Sequence, residues 1–390
     1  MIVSGASYTV SRNTSLSVAA VWLGVVAAFV LLSVPLWGGP ALMRWAVEVM
    51  CYLVLAQMWN LMAGYGGLMS VGLQAFVGIG AYSIFVFAQH LGVHPFLAIP
   101  LGGVMAAIAA LLTSVLVFRM RGGYFAIGTW VLAEVFRIAF SNVSILGGGS
   151  GQSLTVMTRI DRSTREIGVY LIAATVLIAA SLAVNLLLRS RFGLGLTAIR
   201  DSEDAAESQG VDVKALKLQV YALASFGAGV VGAVYFTSIL RISPSAAFDP
   251  NWVVAAVFIV VIGGIGTLEG PIIGTAIFFA LRGLLADYGT WYWLVMGGVA
   301  VGVVVFAPAG VWGYVRARWD LQLLPLQRRL ILSGPGPRRG IPTLGLAAPD
   351  PDEQNGFLKA FGVEPTRVGD GIKIRAGDAR PTTPEGGGDA

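Results

Sequence analysis

One short stretch of this 390-residue chain is dense in charge, although the chain as a whole is 56% apolar and only 12% charged. The stretch, residues 198–210, reads AIRDSEDAAESQG and carries Arg200, Asp201, Glu203, Asp204 and Glu207. Side chains at this charge density are too polar to be buried among the apolar residues around them. These residue types do not point to covalent chemistry.

The order of residues in this stretch predicts a helix of two turns. Asp201 or Ser202 can accept hydrogen bonds as the N-cap, and Glu203 and Asp204 suit the positive end of the helix dipole. Gly210 can adopt the left-handed backbone that ends a helix. Because an isolated helix this short is marginal in water, we expect it to pack on its own bundle or on a partner.

A second charged group, Glu134 and Arg137, has i,i+3 spacing inside an apolar run. A charge near the middle of a membrane costs about 3 kcal/mol or more. The two residues can therefore form a structural ion pair, or they can face water and contact a substrate. The sequence leaves both interpretations open.

The amides of Asn60 and Gln74 lie beside or within a glycine cluster, Gly64 to Gly80, and a second cluster runs from Gly263 to Gly274. Interrupted helices mark transport pathways, whereas small residues also allow close helix packing. We interpret the glycines as packing residues. The candidate pathway residues are Asn60, Gln74, Glu134 and Arg137.

The sequence offers little for catalysis. It contains no G-x-x-x-x-G-K-[ST] phosphate loop, so the chain cannot hydrolyse ATP by itself. Cys51 is its single cysteine, and His90 and His94 are too few for a metal site. We expect no catalytic residue, no metal and no cofactor, and we rank a membrane enzyme last among the possible functions.

Long uncharged runs indicate that lipid is the main solvent. No charged residue occurs between Val49 and Phe118, which is room for roughly three membrane helices of about 20 residues each. Strands of a barrel would alternate apolar and polar residues, but these runs are apolar on every side. The predicted fold is all-α, a polytopic membrane helical bundle. Its ten candidate spans are residues 17–37, 43–62, 66–88, 96–118, 123–143, 168–188, 217–240, 251–268, 271–287 and 291–313.

The distribution of Lys and Arg predicts the orientation, because cytoplasmic loops carry the excess of positive charge. With ten spans, both termini lie on the same side as residues 189–217, and this side holds more basic residues near the span ends. We therefore place both termini and this loop in the cytoplasm. The outer loop 144–167 opposes the rule, since it holds three arginines that Asp161 and Glu166 partly neutralise.

The composition divides the chain into four parts. Residues 1–42 hold the first span, and residues 43–313 form the core with the loop 189–217. Residues 314–331 are basic and amphipathic, as expected for a segment at the lipid headgroups. In residues 332–390, 20 of 59 residues are Gly or Pro, which predicts a disordered tail.

Four stretches together resemble the LivM-type permeases, the membrane subunits of branched-chain amino-acid ABC importers. They lie in the family's order between residues 45 and 313 and read NLMAGYGGLMSVGLQAFVGIGAY (60–82), RMRGGYFAIGTWVLAEVFRI (119–138), RSRFGLGLTAIRDSEDAAESQGV (189–211) and VIGGIGTLEGPIIGTAI (261–277). The resemblance implies a type II-like ABC importer permease.

The resemblance also implies a role for the charged stretch. ABC importers carry a cytoplasmic loop with Glu-Ala-Ala, three residues and Gly, and here Asp204, Ala205, Ala206 and Gly210 take these positions. By similarity this stretch is the coupling helix that seats in a groove of the ATPase. The small alanines would permit close approach, and Arg200, Asp201, Glu203 and Asp204 would pair with the partner.

The family further implies the partners and the location. These are a second, LivH-like permease that forms the other half of the pathway, two ABC ATPase subunits, and a periplasmic or lipid-anchored substrate-binding protein, plausibly docked over residues 144–167. The location is the bacterial plasma (inner) membrane, and no nucleic acid is involved. The alternatives are an ABC permease for urea or short amides, and a self-sufficient secondary transporter or channel in which Glu134 would carry the coupling.

Overall fold

A computed structural model of the chain describes residues 7–11, 15–120, 122–285, 288, 291–307, 309–319, 329–333, 366–368 and 371–373. The helices within these residues are α1 Ser15–Trp37, α2 Pro40–Asn60, α3 Gln74–Ile84, α4 Pro95–Val117, α5 Gly123–Ser141, α6 Arg162–Arg189, α7 Arg191–Asp201, α8 Glu203–Ser208, α9 Val213–Ile239, α10 Pro244–Ala247, α11 Asn251–Gly263, α12 Gly270–Leu285, α13 Trp291–Phe306 and α14 Gly310–Trp319. Single π-helical turns extend α2 through Leu61–Tyr65 and α3 through Phe85–His90. The described strands are β1 Ser7–Ser11, β2 Gln152–Ser153, β3 Arg241–Ile242, β4 Arg329–Ser333, β5 Thr366–Val368 and β6 Gly371–Lys373.

Helix starts follow the local sequence. Pro40 and Pro95 begin α2 and α4, where a residue without an N–H loses no hydrogen bond. Gly122, with a φ of +57°, turns the chain into α5. Asp161 caps α6 by accepting hydrogen bonds from the backbone of the first turn.

The predicted polytopic helical fold is confirmed. Eight helical segments in the described part of the chain are long and apolar enough to cross a membrane. They are Ala19–Trp37, Pro40–Tyr65, Pro95–Val117, Gly123–Ser141, Arg162–Arg189, Val213–Ile239, Pro244–Gly263 and Leu294–Arg316. The other two predicted spans are shorter helices, α12 with 16 residues and α3 with 11 before its π-helical turn.

The third predicted span, 66–88, began too early. Residues 67–73 are not helical, and α3 starts only at Gln74. Glycines at positions 66, 67 and 72 weaken helix propensity here, and side chains replace the missing backbone hydrogen bonds. The indole Nε1 of Trp59 donates to the Ser70 carbonyl at 2.9 Å, and the Gly72 N–H donates to Ser70 Oγ.

The core of the bundle is formed by α2, α3 and α9, whose side chains are mostly buried, and α4 packs against it with one face. Glycines bring α3 and α9 into backbone contact, as interpreted from the sequence. A Cβ on Gly80 would lie 2.0 Å from the Gly229 carbonyl oxygen, and one on Gly232 would lie 2.0 Å from the Val77 carbonyl oxygen. Close approach of this kind replaces the hydrophobic effect as the attraction between helices in lipid.

Two helices lie at the edge of the bundle. α1 is almost fully exposed, and it is attached to α6 by the Tyr170 hydroxyl, which donates to the Leu31 carbonyl at 2.7 Å. α5 buries only Phe125, Thr129 and Ala133, and its other side chains are exposed or half-buried.

The chain divides into a large unit, Val10–Leu330, and a small one of Met1–Thr9 with Ile331–Ala390. In the small unit, β5 and β6 pair antiparallel, with Arg367 opposite Ile372. Most of the predicted tail 332–390 and residues 320–328 of the predicted interfacial segment lie outside the described residues. The four-part division therefore stays a prediction.

Candidate functional site

The charged segment, residues 189–217, contains the two short helices α7 and α8 between the spans α6 and α9. The Ser190 hydroxyl accepts from the Phe192 N–H at the start of α7, and Ser202 accepts from the Ala205 N–H at the start of α8. Gly210 follows the end of α8 and has a φ of +84°. The N-cap is thus Ser202, one of the two predicted residues.

The inner face of α8 is anchored by a single small side chain. Ala206 is 2% exposed and packs with Ile199 of α7 and Val213 of α9. Ala205 is exposed. The two alanines therefore differ: Ala206 lets α8 lie close to its own bundle, and only Ala205 presents a small surface to the outside.

The outer face of α8 is acidic. Glu203, Asp204 and Glu207 are all exposed. Lys217 Nζ lies 2.6 Å from Glu203 Oε2 and connects α8 to α9. In α7, Arg200 Nε lies 3.7 Å from Asp201 Oδ1. A partner would meet a short helix with a negative surface.

Behind α7 lies the loop 264–269, which connects α11 and α12. A Cβ on Gly266 would lie 2.9 Å from Arg200 Nη1, so the guanidinium rests against this loop. The loop also meets α2 and α14, because a Cβ on Gly264 would lie 3.6 Å from the Trp312 Cβ and one on Gly64 would lie 2.6 Å from the Gly266 nitrogen. This loop is therefore where the charged segment meets the helices that cross the membrane.

Asn60 holds the loop in place. Its Nδ2 donates to the Thr267 carbonyl at 2.8 Å, and its Oδ1 accepts from the Gly266 N–H at 2.8 Å. The side chain is 2% exposed. Both ends of the amide are thus bonded to protein, and we call Asn60 with Gly266 and Thr267 the Asn60 clasp. The pathway role predicted for Asn60 stays a prediction, and this geometry assigns the residue a structural contact.

Charged groups surround the clasp. The hydroxyl of Tyr65, buried at the end of the π-helical turn, lies within electrostatic range of Glu269, Arg200 and Arg316. Residues from α7, α14 and the loop 264–269 therefore meet at one end of the bundle.

Gln74 is buried at the first turn of α3, and its Oε1 has no hydrogen-bond partner among the described residues. It follows directly on the non-helical residues 67–73. Gln74 and Glu134 are far apart along the chain. The non-helical segment 67–73, next to Gln74, nevertheless contacts α5 at Thr129, whose Oγ1 accepts from the Val71 N–H at 3.1 Å.

Glu134 and Arg137 form an ion pair on the side of α5. Arg137 Nε lies 2.9 Å from each carboxylate oxygen of Glu134, and Nη2 bonds the same carboxylate. The side chain of Glu134 is 43% exposed and that of Arg137 is 36% exposed. Neither residue contacts Asn60, so the structure does not gather the four predicted pathway residues into one site.

An ion pair that joins two distant helices was not singled out from the sequence. Arg282 Nη1 of α12 lies 2.7 Å from Glu48 Oε1 of α2, and the guanidinium lies over the Phe279 ring. The two residues are 234 positions apart, so no local pattern in the sequence indicates this pair. Gly266 and Thr267 were also missed as individual residues, although their glycine-rich stretch was noted.

The loop 144–161 lies at the opposite end of the bundle. β2 pairs antiparallel with β3, so that Gln152 is opposite Ile242 and Ser153 opposite Arg241. Leu154 donates its N–H to the Leu240 carbonyl at 2.9 Å. These contacts give a firm cap over α5, α9 and α10. In the described part of the chain, no three His, Cys, Asp or Glu residues meet in a way that could hold a metal.

Eight membrane-length apolar helices in the described part of the chain, with a short charged helix at one end, define a multi-pass membrane protein. Residues 41–306 match the family model described as the permease component of the branched-chain amino acid transport system, and the chain belongs to this family.

Relatives with known names agree with this assignment. The chain is 28% identical over 304 residues to the high-affinity branched-chain amino acid transport system permease protein LivM of Escherichia coli (strain K12). This alignment covers 71% of each chain. It is 24% identical over 257 residues to the probable permease LivH of Methanocaldococcus jannaschii, covering 60% of this chain and 80% of that one. It is 27% identical over 199 residues to the nucleoside ABC transporter permease NupC of Lactococcus lactis subsp. cremoris, covering 45% and 60%. No solved structure matches the chain.

Proposed function

We propose that this chain is the membrane permease subunit of an ATP-driven ABC importer for branched-chain amino acids, and that it forms half of the translocation pathway. The observation that carries the proposal is the geometry of α8. Ala206 anchors the helix to the bundle while Asp204, Ala205 and Glu207 face outward. The match to LivM permeases over most of the chain supports the substrate class.

The remaining subunits follow from this proposal. A second, LivH-like permease completes the pathway, two ABC ATPases bind the coupling helices, and a periplasmic or lipid-anchored binding protein delivers the substrate over residues 144–167. The complex sits in the bacterial inner membrane with both termini of this chain in the cytoplasm. ATP is hydrolysed on the ATPase subunits, and this chain carries no cofactor.

The proposed mechanism is mechanical. Closure of the ATPase pair pushes α8, and because Ala206 packs against Ile199 and Val213, α7 and the start of α9 move with it. Arg200 transmits the push to Gly266, and the Asn60 clasp passes it to α2, α11 and α12. Helices that move as rigid bodies in this way switch the pathway between two states.

The test is co-purification of the chain with its partner subunits from membranes, followed by reconstitution in liposomes. Asp204→Lys reverses one exposed charge without touching the core. We expect the ATPase to be released and ATP-dependent leucine uptake to be lost. Uptake of leucine by the purified chain alone, without ATP, would refute the proposal. ATP-dependent uptake of urea or a nucleoside in place of leucine would correct the substrate.

A further inference from the structure

The ion pair on α5 lies within one helix. Glu134 and Arg137 are one turn apart, whereas Glu48 and Arg282 join α2 to α12. Glu134 lies ~16 Å along a helix that is ~28 Å long. Charges at this depth are expensive in lipid, and a pair within one helix holds no second helix in place. Water or a polar partner beside the pair would lower this cost.

The pair belongs to a continuous stripe on α5. Trp130, Glu134, Arg137 and Ser141 are spaced four, three and four residues apart, so that they lie on one face of the helix. Trp130 is 52% exposed, and the Ser141 hydroxyl donates to the Arg137 carbonyl. We call these four residues the α5 stripe.

Non-helical backbone adjoins the same helix. The segment 67–73 contacts α5 at Thr129, ~9 Å from the start of that helix. Its side chains Met69 and Val71 are 61% and 37% exposed. Irregular backbone at membrane depth is stable only where protein buries it or where it lines a water-filled cavity, and interrupted helices adjoin the substrate site in many transporters. Both features adjoin α5.

We propose that the α5 stripe, together with Met69 and Val71, lines the substrate route and contacts an amino acid as a zwitterion. Arg137 would bind the α-carboxylate and Glu134 the α-ammonium group, while Trp130, Met69 and Val71 contact the apolar side chain. The resting ion pair keeps both charges satisfied when no substrate is present. A neutral amide or nucleoside has no charges to exchange with this pair. This inference rests on the proposed importer function and adds the residues that face the substrate.

The first test measures water access in the assembled complex. Cys51 is the single cysteine and is buried, so Cys51→Ser gives a background without thiols. Trp130→Cys and Ser141→Cys report on the stripe. Leu112→Cys on α4 and Leu186→Cys on α6 are matched controls, since these leucines are 74% and 58% exposed on apolar helix faces.

A charged, membrane-impermeant methanethiosulfonate should modify the stripe cysteines more than about tenfold faster than the controls, because a thiol in lipid does not ionise. Equal rates at all four positions would overturn the inference. The importer proposal would be untouched by that result, since it is judged by ATP-dependent leucine uptake of the parent complex.

The second test removes the charges. Glu134→Leu/Arg137→Leu should leave the thermal stability unchanged or higher, because apolar side chains often replace an ion pair without loss. Leucine uptake per ATP hydrolysed should fall about tenfold or more, the value of a lost charged hydrogen bond. The matched control, Glu48→Leu/Arg282→Leu, removes the same charges from an inter-helix contact and should preserve uptake per folded complex. Normal uptake by the α5 variant would refute the substrate contact.

Discussion

Replacing Asn60 by Leu tests whether the clasp connects the charged segment to the membrane helices. The change removes two hydrogen bonds of 2.8 Å each and leaves the Gly266 N–H and the Thr267 carbonyl without side-chain partners. Each buried polar group left unpaired costs about 1–3 kcal/mol, so the loop 264–269 loses about 2–6 kcal/mol of local stability. Because this cost is confined to one loop, we expect the bundle to remain folded while the loop opens.

Amide hydrogen exchange measures the opening of the loop 264–269 directly. The Gly266 amide is held by Asn60 Oδ1, and losing about 1–3 kcal/mol of protection accelerates exchange roughly 5- to 150-fold. In the assembled transporter, we expect the same variant to keep its basal ATPase activity but to hydrolyse ATP without moving leucine. The push on Arg200 would no longer reach α2.

Gln57→Leu is the matched control for this experiment. Gln57 lies on α2 three residues before Asn60, is also buried, and exchanges hydrogen bonds with Ser181 of α6. Its loss removes an amide of similar size but leaves the clasp intact. The reasoning is refuted if Asn60→Leu leaves exchange in the loop 264–269 unchanged, or if both variants uncouple transport equally.

Three further predictions concern the charged segment and the core. Asp204→Lys should weaken ATPase binding about tenfold or more in a pull-down from detergent, because it reverses a charge at the contact; unchanged binding would exclude α8 as the docking helix. Ala206→Leu should destabilise the chain by about 1–3 kcal/mol in thermal unfolding because it overfills a closed site, while Ala205→Leu should not alter stability and should impair docking. The reverse order of stabilities would contradict the assigned faces. Gly80→Val should prevent stable folding, measured as monodisperse protein after solubilisation, since its side chain would meet the backbone of α9; wild-type yield would show that α3 and α9 can separate.

Local signals predicted much of the fold. Uncharged runs predicted the membrane helices because lipid leaves only helices or closed barrels for the backbone and these runs do not alternate, and Ser202 and Gly210 marked the ends of α8 through their capping chemistry. The start of α3 was predicted too early, since hydropathy does not distinguish a helix from an irregular apolar segment. Residues 67–73 are as apolar as a span, yet Gly72 brings its backbone against Thr129.

Contacts between residues far apart in the chain could not be predicted from the sequence. Asn60 looked like a pathway residue because a lone amide in an apolar run can face water. Its partners lie more than 200 residues away, and only the folded chain brings them within 2.8 Å. Arg282 and Glu48 were hidden for the same reason. Glu134 and Arg137, in contrast, are one helical turn apart, so their spacing already offered an ion pair as one of two interpretations.

The glycine contacts between α3 and α9 also limit which parts of the protein can move. Turning α9 about its axis by one residue, ~100°, would carry Val231 or Ala233 into the space that Gly232 leaves beside the Val77 carbonyl. The parts of α3 and α9 that carry these glycines are therefore expected to move as one block. Motion that opens or closes the protein would then occur around this block, at α11 and α12, whose own glycine contacts join these two helices to each other. A push delivered at α8 would tilt α11 and α12 against a fixed centre.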